Sequence, residues 1–370
     1  MPGSLFAIED RILSEKGIKE AIAEGKIKID PSPDEEQFQP SSLDVKVGSA
    51  RIFDDEVRWR YYEDCKRRET GDPRHDMLIR EEGIPDSYGK FVPDERDALL
   101  RLTHSSVTDI FFHEKITFNP EEYWMSVDLR SSRGRLGLSP RLEIPVRQED
   151  GRYCLEVRSY NPNPLLLYGH SKFAQVFFHP KKSEGDGYLV NDPREALKIA
   201  KKVCEGPFTM DGFFLVLDLG DWIWRCLPGS GEIDTKENTN TYYEQIPTHW
   251  PLEITNKDST IAPLVPSVNL PEDIGIRLFH EKHYHASHNE RYFFPYDERF
   301  DLNAGWGDPG YHGNLTAHPR TIHYPRILVR GRPVCYAAFY RYKKNRVGKV
   351  YGSETTNSHY QHSEGSISRS

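Results

Sequence analysis

The sequence predicts a mainly β fold, arranged as two tandem distorted β-barrels with a few short helices. Short runs rich in β-branched and aromatic residues dominate the chain, and Gly, Pro, Asn and Asp bound most of them. A faint internal repeat relates the two halves. With 370 residues, of which 37% are hydrophobic and 12% aromatic, the chain is long enough to build two cores of ordinary size.

Helical periodicity is scarce, and two stretches show it best. Residues 7–25 and 193–204 place apolar side chains three and four positions apart, which is typical of one face of a helix. The β-rich runs are too short for helices and lie between turn-forming residues, so each is expected to form a strand. In chain order these runs are VKV, ITF, WMSVDL, RYCLEV, PLLLY, AQVFF, GFFLVLDL, RILVR and VCYAAFY.

The repeat sets the expected domain organisation. We expect a first barrel in residues 1–182, a linker with a short helix in 183–206, and a second barrel with a C-terminal tail in 207–370. In each half a strand leads through a Pro-containing turn to a second strand, then a glycine and a third strand. The paired segments are 39–48 with 211–221, 114–130 with 264–279, and 155–178 with 316–339.

Composition argues against several classes of protein. The formal net charge of −8 disfavours broad nucleic-acid binding, so a basic cluster is expected to serve a local site. No run approaches the roughly 18 apolar residues of a membrane span, and Met1 to Asp10 lacks a signal-peptide pattern. Five scattered cysteines without CxxC spacing indicate reduced thiols. We therefore expect a cytoplasmic protein without nucleic-acid or membrane partners.

The segment RSSRGRLGL (130–138) concentrates groups that bind polyphosphates. Three arginines supply forked donors, two serines add hydroxyls, and two glycines let the backbone approach a ligand closely. Taken by itself, the segment is equally compatible with an ordinary basic turn. The residues concerned are Arg130, Ser131, Ser132, Arg133, Gly134, Arg135 and Gly137.

This serine motif, with three other regions in a fixed order, resembles the trimeric dCTP deaminase and dUTPase superfamily. Residues 18–31 and 39–48 are similar to the family's opening helix and first strand. Residues 154–178 are similar to its Leu-Glu strand, Pro-containing turn and closing strand. NAGWGDPGYHGNLT (303–316) is similar to its Gly-x-x-Asp-Pro-Gly-aromatic-x-Gly hairpin. The resemblance implies two dUTPase-like barrels in a double-domain form of the family.

The resemblance also implies metal-independent deamination chemistry. The zinc-dependent alternative needs HxE and PCxxC signatures, and the sequence contains neither. By the family's pattern Glu156 would be the general base, while Ser131 and Arg135 would position water and stabilise charge. Magnesium would arrive chelated to the triphosphate, with no metal held by the protein. The residues expected to bind the nucleotide are Arg130, Ser132, Gly305, Asp308, Gly310, Tyr311, Gln175, Tyr351 and Tyr360.

Both halves depart from the family's pattern. No Asp-Pro-Gly hairpin occurs between Leu138 and Glu156, and the second half has no serine motif. In the second half His318 stands where the family has its Glu. Because active sites in this superfamily are shared between neighbouring barrels, we expect one composite site per chain. Glu156 could instead be a solvated strand carboxylate or an ion-pair partner of Arg158.

Two further segments leave alternatives open. The tail YGSETTNSHYQHSEGS (351–366) resembles the family's closing lid, although His359 and Ser363 replace an expected Lys and Gln. Polar tails of this composition are also commonly disordered. A cluster of four histidines has spacing that could collect zinc or nickel, but a polar loop is the simpler interpretation. These histidines are His280, His283, His285 and His288.

We therefore expect hydrolytic deamination of dCTP to dUTP and ammonia, with dUTP and dTTP as further candidate ligands. A dUTPase-like pyrophosphatase or a bifunctional enzyme is the nearest alternative, since Asp308 stands where dUTPases keep their water-activating carboxylate. The other alternative is a catalytically inactive nucleotide-binding or regulatory protein. We also expect a homo-oligomer: if barrels pack in threes, three chains would make two pseudo-trimeric layers, and a dimer is equally open.

Overall fold

The computed structural model describes residues 11–53, 89–104, 106–140, 146–147, 151–182, 185–237, 239–255, 259–279, 305–319, 326–328 and 334–351. Within these ranges strands dominate and the helices are short. The mainly β fold class predicted from the sequence is therefore confirmed.

In its described residues the first half of the chain has two short helices among its strands. Helix α1 spans Glu15–Ala23, and the Ser14 side chain caps it by accepting a hydrogen bond from the backbone N–H of Gly17. Helix α2 is a single turn at Ser131–Gly134, and Glu35–Gln37 forms a 3-10 turn. The strands are β1 (Arg11–Ile12), β2 (Ile27–Asp30), β3 (Leu43–Phe53), β4 (Lys90–Val92), β5 (Leu99–Leu102), β6 (Val107–Phe118), β7 (Tyr123–Leu129), β8 (Leu138–Pro140), β9 (Val146–Arg147), β10 (Arg152–Ser159), β11 (Leu165–Tyr168), β12 (Lys172–Pro180) and β13 (Gly187–Leu189).

The second half begins with helix α3, which spans Pro193–Val203. Asp192 caps this helix by accepting a hydrogen bond from the backbone N–H of Arg194. Residues Thr239–Tyr242 form a second 3-10 turn. The strands are β14 (Cys204–Glu205), β15 (Thr209–Asp211), β16 (Phe214–Leu219), β17 (Trp222–Cys226), β18 (Ile233–Asp234), β19 (Tyr243–Pro247), β20 (Leu252–Ile254), β21 (Thr260–Val265), β22 (Ser267–Asn269), β23 (Ile274–Phe279), β24 (Trp306–Gly307), β25 (His312–Gly313), β26 (Thr316–Ala317), β27 (Arg326–Leu328) and β28 (Cys335–Tyr342).

The same order of paired strands occurs in both halves. In the first half it is β7-β12-β3-β6-β10, and in the second half β23-β28-β16-β21-β26. All of these pairs are antiparallel. Strand β26 therefore occupies the place in the second half that β10 occupies in the first. This correspondence supports the tandem arrangement predicted from the faint sequence repeat.

Each half builds a buried hydrophobic cluster, and each cluster takes residues from the other half. The first cluster is built around side chains such as Phe112 and Phe173, and it includes Ile261 of β21. The second includes Tyr340 of β28 together with Ile12 of β1. The two sheets are thus packed against one another through shared apolar side chains.

Backbone pairing also crosses between the halves. Strand β13 pairs with β28 of the second half, and β1 pairs in turn with β13, which places Arg11 opposite Tyr188 at the edge of the second sheet. Strand β18 runs parallel to β11, with Ile233 opposite Leu165. The domain limits proposed from the repeat stay predictions, because strands near these limits pair across them.

The two stretches of helical periodicity both contain helices. In 7–25 the described helix begins only at Glu15, since residues 11–12 pair as a strand, and in 193–204 it ends at Val203. The run RILVR forms a strand at Arg326–Leu328 within its described part.

No helix among the described residues is long and apolar enough to cross a membrane. The cysteines in the described part of the chain are free thiols, namely Cys154, Cys204, Cys226 and Cys335.

Candidate functional site

Asp44, on strand β3, lies at the centre of a buried polar cluster. Its Oδ2 atom is 3.4 Å from Arg130 Nε and accepts a 3.2 Å hydrogen bond from Gln39 Nε2. Strand pairing places Gln175 opposite Asp44, and Gln175 Nε2 donates to Ser42 Oγ at 3.3 Å. Burial raises the pKa of the Asp44 carboxyl, and the charge of Arg130 opposes this rise. The opening strand, the serine motif and the closing strand thus meet at one carboxylate.

Asp308 reaches this cluster from the second-half hairpin. Its Oδ1 atom is buried, and burial raises the pKa of the carboxyl to about 7. Hydrogen bonding by Ser41 and Trp306 lowers that pKa, whereas the nearby charge of Asp44 raises it further. Ser41 Oγ also accepts a 2.7 Å hydrogen bond from the hydroxyl of Tyr342. A carboxyl that titrates near neutral pH is suited to proton transfer.

Two glycines mark where the hairpin docks. A Cβ atom at Gly305 would overlap Asp128 Oδ2, so the hairpin lies directly against strand β7 of the first half. Gly310 has a φ of +87°, and a Cβ atom there would overlap Val350 Cγ1. Both positions therefore require glycine, one for contact with the first barrel and one for contact with the start of the tail.

The hairpin tyrosine is part of the packing and forms an edge-to-face pair with the tail. Tyr311 is buried, and its hydroxyl donates to the carbonyl of Asn314 at 2.6 Å. Its ring meets the ring of Tyr351 with centroids 5.5 Å apart at 62°. The backbone N–H of Tyr351 donates to Pro309 O at 2.9 Å. Tyr351, the last described residue, therefore lies beside the hairpin, while Tyr360 lies outside the described residues.

The serine motif presents its hydroxyls at the surface and buries its last arginine. Ser131 is exposed, Ser132 is half-buried, and Arg135 is only 3% exposed. The Arg130 side chain keeps 27% of its surface accessible beside Asp44. A ligand can therefore approach the motif at its Arg130 to Ser132 end.

The second half holds the other end of the motif. The hydroxyl of Tyr243, on strand β19, donates to the carbonyl of Arg135 at 3.1 Å. Gly137 has a φ of +89°, and a Cβ atom there would lie 2.8 Å from Ser259 Oγ. The C-terminal end of the serine motif is therefore held by contacts to the second half.

His318 lies where the second half faces the first. It is 2% exposed and follows strand β26, in which Ala317 is opposite Ala262. Continuing this antiparallel register by one residue places His318 opposite Ile261, which packs into the first-half cluster. Opposite residues share a face of the sheet, so His318 is on the face that contacts the first half. Topologically, it is the counterpart of Glu156 on β10.

Glu156 lies on the outer face of the first barrel. Its two neighbours on β10 are buried in the core, and Glu156 itself is half-buried. It pairs opposite Asp109, which is in turn opposite Arg51 on β3. Arg51 is seven residues beyond Asp44 on this strand, which corresponds to roughly 20 Å of extended chain. Glu156 and the Asp44–Asp308 cluster therefore occupy different points of the sheet.

Sequence reasoning missed several residues of the cluster. The motifs do not select Asp44, Ser41 or Asp128, although Asp44 lies inside the segment 39–48 that predicts the first strand. A carboxylate between two core residues of a strand is an uncommon position, and this is the signal that the sequence offers. The predicted histidine cluster at 280–288 lies outside the described residues.

Comparisons with known proteins identify the family. A family model described as dCTP deaminase-like matches residues 12–180. A "dCTP deaminase, dUMP-forming" from Methanobrevibacter smithii is 30% identical over 169 residues, which is 45% of this chain and 79% of that protein. The chain belongs to the dCTP deaminase-like family. A protein of the same name from Methanosphaera stadtmanae is 26% identical over 187 residues, 50% of this chain and 87% of the relative.

Membership of the dCTP deaminase-like family identifies the chain as an enzyme of the deaminase-like hydrolase type. A crystal structure of the 2'-deoxycytidine 5'-triphosphate deaminase from Agrobacterium tumefaciens aligns with 90% of this chain and 99% of that chain. The TM-score is 0.64 and the identity 18%, so this likeness concerns the fold. The sequence matches cover about half of the chain, whereas the fold match extends over both halves.

Proposed function

We propose that this dCTP deaminase-like chain binds dCTP and hydrolyses its 4-amino group, giving dUTP and ammonia. The observation that supports this proposal most is the composite cluster, in which Asp308 of the second half lies beside Asp44, the partner of Arg130. The hairpin carboxyl and the arginine of the serine motif both lie near Asp44 of the same chain, and this supports a shared site. The names of the curated relatives supply the substrate class.

In this proposal the serine motif holds the triphosphate. The Arg130 guanidinium is partly accessible, and Ser131 and Ser132 follow it at the surface. A forked cation beside two hydroxyls matches the donors that a phosphate chain requires. Gln175, on the strand opposite Asp44, adds an amide to the same cluster. Magnesium would enter bound to the triphosphate and is part of the substrate.

The hairpin would frame the sugar and base. Gly305 and Gly310 set its position against the first barrel and the tail, and Tyr311 stiffens it from within. Asp308 brings a carboxyl with a pKa of about 7 to the cluster, so it can accept or donate a proton at neutral pH. The tail that begins at Tyr351 would close over the bound nucleotide.

The reaction requires proton transfer at two points. Water adds to C4, its oxygen becomes O4 of the product, and a proton reaches the amino group before ammonia leaves. By the family's pattern Glu156 would be the general base, and Ser131 with Arg135 would position the water, although Glu156 lies roughly 20 Å along the sheet from the Asp44–Asp308 cluster. His318 is the second candidate for the proton carrier, because it is the topological counterpart of Glu156 on the face toward the first half.

Two activities beyond deamination follow from specific observations. The curated relatives are named dUMP-forming, and Asp308 stands at the position of a dUTPase carboxylate, so a bifunctional deaminase and diphosphatase is the second candidate function. A dUTPase-like pyrophosphatase would have only the diphosphatase activity of this bifunctional enzyme, without deamination. We further propose that the chain works as a homo-oligomer.

A product assay tests the proposed reaction. The full chain is incubated with magnesium and dCTP, then with dUTP, while ammonia, nucleotides and pyrophosphate are followed together. We expect one ammonia per dUTP formed from dCTP. Ammonia with dUMP and pyrophosphate would establish the bifunctional enzyme, and pyrophosphate from dUTP alone the pyrophosphatase. Binding of dCTP without any turnover would overturn the proposal in favour of a regulatory protein.

Variants in the same assay assign the general base. We expect Glu156→Gln to lower kcat by about 100-fold or more, because general base catalysis contributes on this scale. Arg158→Gln is the matched control, since Arg158 lies on the same face of β10 two residues away. Loss of turnover in His318→Gln, with Glu156→Gln active, would transfer the role to the second half.

A further inference from the structure

Three side chains outside the candidate site converge on one point of the first barrel. Asp94 Oδ1 lies 2.9 Å from His113 Nδ1 and 2.9 Å from His170 Nε2. The three ligand atoms lie within 4.8 Å of one another, and the imidazole centroids are 3.9 Å apart. All three side chains are partly buried, with exposures of 17%, 22% and 27% respectively. This group is called the Asp94 cluster below.

The backbone positions the Asp94 cluster from three separate segments. Asp94 follows β4, His113 lies in β6, and His170 lies in the turn between β11 and β12. His170 has a φ of +58°, an uncommon value for a residue other than glycine, and its N–H donates to Val47 O at 2.7 Å. A Cβ atom at Gly169 would overlap the carbonyl of Glu95, so this turn and the Asp94 loop fit closely.

We propose that the Asp94 cluster binds a divalent transition-metal ion through Asp94 Oδ1, His113 Nδ1 and His170 Nε2. Ligand atoms about 2.0–2.1 Å from a tetrahedral zinc ion are separated by about 3.3 Å. Asp94 Oδ1 lies 2.9 Å from each ring nitrogen, so an outward shift of about 0.4 Å would give the spacing that the ion requires. Two imidazoles and one carboxylate suit zinc, cobalt, nickel or iron(II), and three protein ligands leave coordination positions for water.

The second oxygen of Asp94 already has a partner that orients the carboxylate. Arg152 Nη1 donates to Asp94 Oδ2, so Oδ1 is directed at the two imidazoles. Hydrogen bonds from partners of this kind fix the ligands of metal centres.

The site would tie the first barrel together at a bulge. The register of β3 with β6 shifts between Val47 and Ala50, and Gly48 approaches the backbone of His113 there. A metal ion would link the loop after β4 to this bulge and to the β11–β12 turn. Without metal, the same side chains form a hydrogen-bonded ion-pair cluster. A metal site and a metal-free ion-pair cluster can be distinguished, because only the metal site would bind added metal and be stabilised by it.

Metal titration of the full chain tests the proposal. Protein treated with chelator and dialysed is titrated with Zn²⁺ alone by calorimetry, and its unfolding midpoint is measured with and without Zn²⁺. We expect one equivalent bound at this cluster and a rise in the midpoint, because an ion that binds the native state stabilises it. His113→Gln and Asp94→Asn should each weaken binding at this equivalent by at least about 100-fold.

A matched variant separates this cluster from the other histidines. Replacing His280, His283, His285 and His288 together by alanine removes the spacing that could also collect zinc, and should leave the expected equivalent in place. The proposal would be overturned if the four-histidine variant alone lost the bound equivalent of Zn²⁺. It would also be overturned if His113→Gln kept that equivalent of Zn²⁺ in full. A wild-type chain that binds no Zn²⁺ would overturn it as well.

A second measurement uses the unaltered chain, in case the variants fail to fold. Histidine carbethoxylation with and without Zn²⁺ is mapped by mass spectrometry. We expect Zn²⁺ to protect His113 and His170 from modification, while His312, which lies against Glu205 elsewhere in the fold, reacts equally in both conditions. Equal modification of His113 and His170 with and without Zn²⁺ would contradict metal binding at this place.

Discussion

Burial changes the chemistry of one carboxyl at the junction of the two halves. One carboxyl oxygen of Asp308 is buried, and the charge of Asp44 acts on this carboxyl, while the charges of Arg130 and Lys172 favour the ionised form of Asp44. Two carboxylates that share one buried region resist ionising together. Since Arg130 lies against Asp44, we assign the titration near neutral pH to Asp308.

The raised pKa of Asp308 predicts a pH-dependent loss of stability. Unfolding restores an ordinary pKa near 4, so between about pH 4 and pH 7 the unfolded chain ionises while the native chain resists. Stability therefore falls in this window by up to about 1.4 kcal/mol per pH unit and is level above it. The Asp308→Asn variant has no carboxyl at this position, so it should lack the part of the fall in stability that Asp308 causes.

Urea unfolding of both proteins between pH 5 and pH 8 checks this prediction. The free energy of unfolding of Asp308→Asn, relative to the wild type, should rise from pH 5 to pH 7 and then remain constant. Parallel pH curves for the two proteins would show that Asp308 ionises as an ordinary surface carboxyl does.

Single residues also show where sequence reasoning reaches its limit. The pattern of the serine motif and hairpin selects Arg130 and Asp308, and the structure brings both to one cluster. Asp44 could not be selected, because its importance comes from burial and from partners supplied by distant segments. The placement of Glu156 also depends on strand register, which no local pattern contains.

At the scale of elements, the hairpin is held by close backbone contact with the first barrel. Gly305 lies against Asp128 of β7, and the following strand β24 pairs with β23. A side chain at position 305 would separate these surfaces. The contact therefore determines how far the hairpin reaches into the Asp44 cluster.

Gly305→Ala should weaken nucleotide binding more than a glycine substitution elsewhere. We expect a loss of about 1–3 kcal/mol in stability from overpacking and at least about a tenfold loss in dCTP affinity as the hairpin shifts. Gly212→Ala is the control, because Gly212 has a φ of +63° but no atom within 4 Å of the place that a Cβ would take. It should cost about 1 kcal/mol in stability through strain and leave dCTP affinity unchanged.

Calorimetric dCTP titration with urea unfolding separates the two effects. Equal dCTP affinity in Gly305→Ala and Gly212→Ala would mean that the hairpin contact serves stability alone.

The elements themselves were largely predictable. Apolar spacing and capping residues locate α3, and β-branched runs between turn residues locate the long strands. Short strands such as β18 and β26 have too few residues to show a period. Their existence depends on pairing with distant partners, so they form only in the folded chain.

At the scale of the whole molecule, the C-terminal segment joins the halves before the tail begins. Arg346 donates to Glu20 and to Asp186, with distances of 2.5–2.8 Å. Lys349 Nζ donates to the carbonyls of Glu35 and Phe38. The last described residues therefore cross from β28 to the N-terminal segments of the first half, and Tyr351 at their end lies beside the hairpin.

In the proposed site one chain supplies both parts: the first half contributes the serine motif and the second half the hairpin, and both reach Asp44. If this account is correct, two inactive chains that are defective in different halves cannot repair one another. If the site instead forms between chains, mixing such variants would recreate intact sites.

Complementation between Arg130→Ala and Asp308→Asn is the measurement that tests this central claim most directly. The two variants are unfolded together, refolded as a mixture, and assayed for ammonia release from dCTP beside wild-type protein treated in the same way. We predict that the wild type recovers turnover and that the mixture stays as inactive as each variant alone. Recovery of about a quarter of wild-type turnover in the mixture, as random pairing of chains would give, would contradict a site built within one chain.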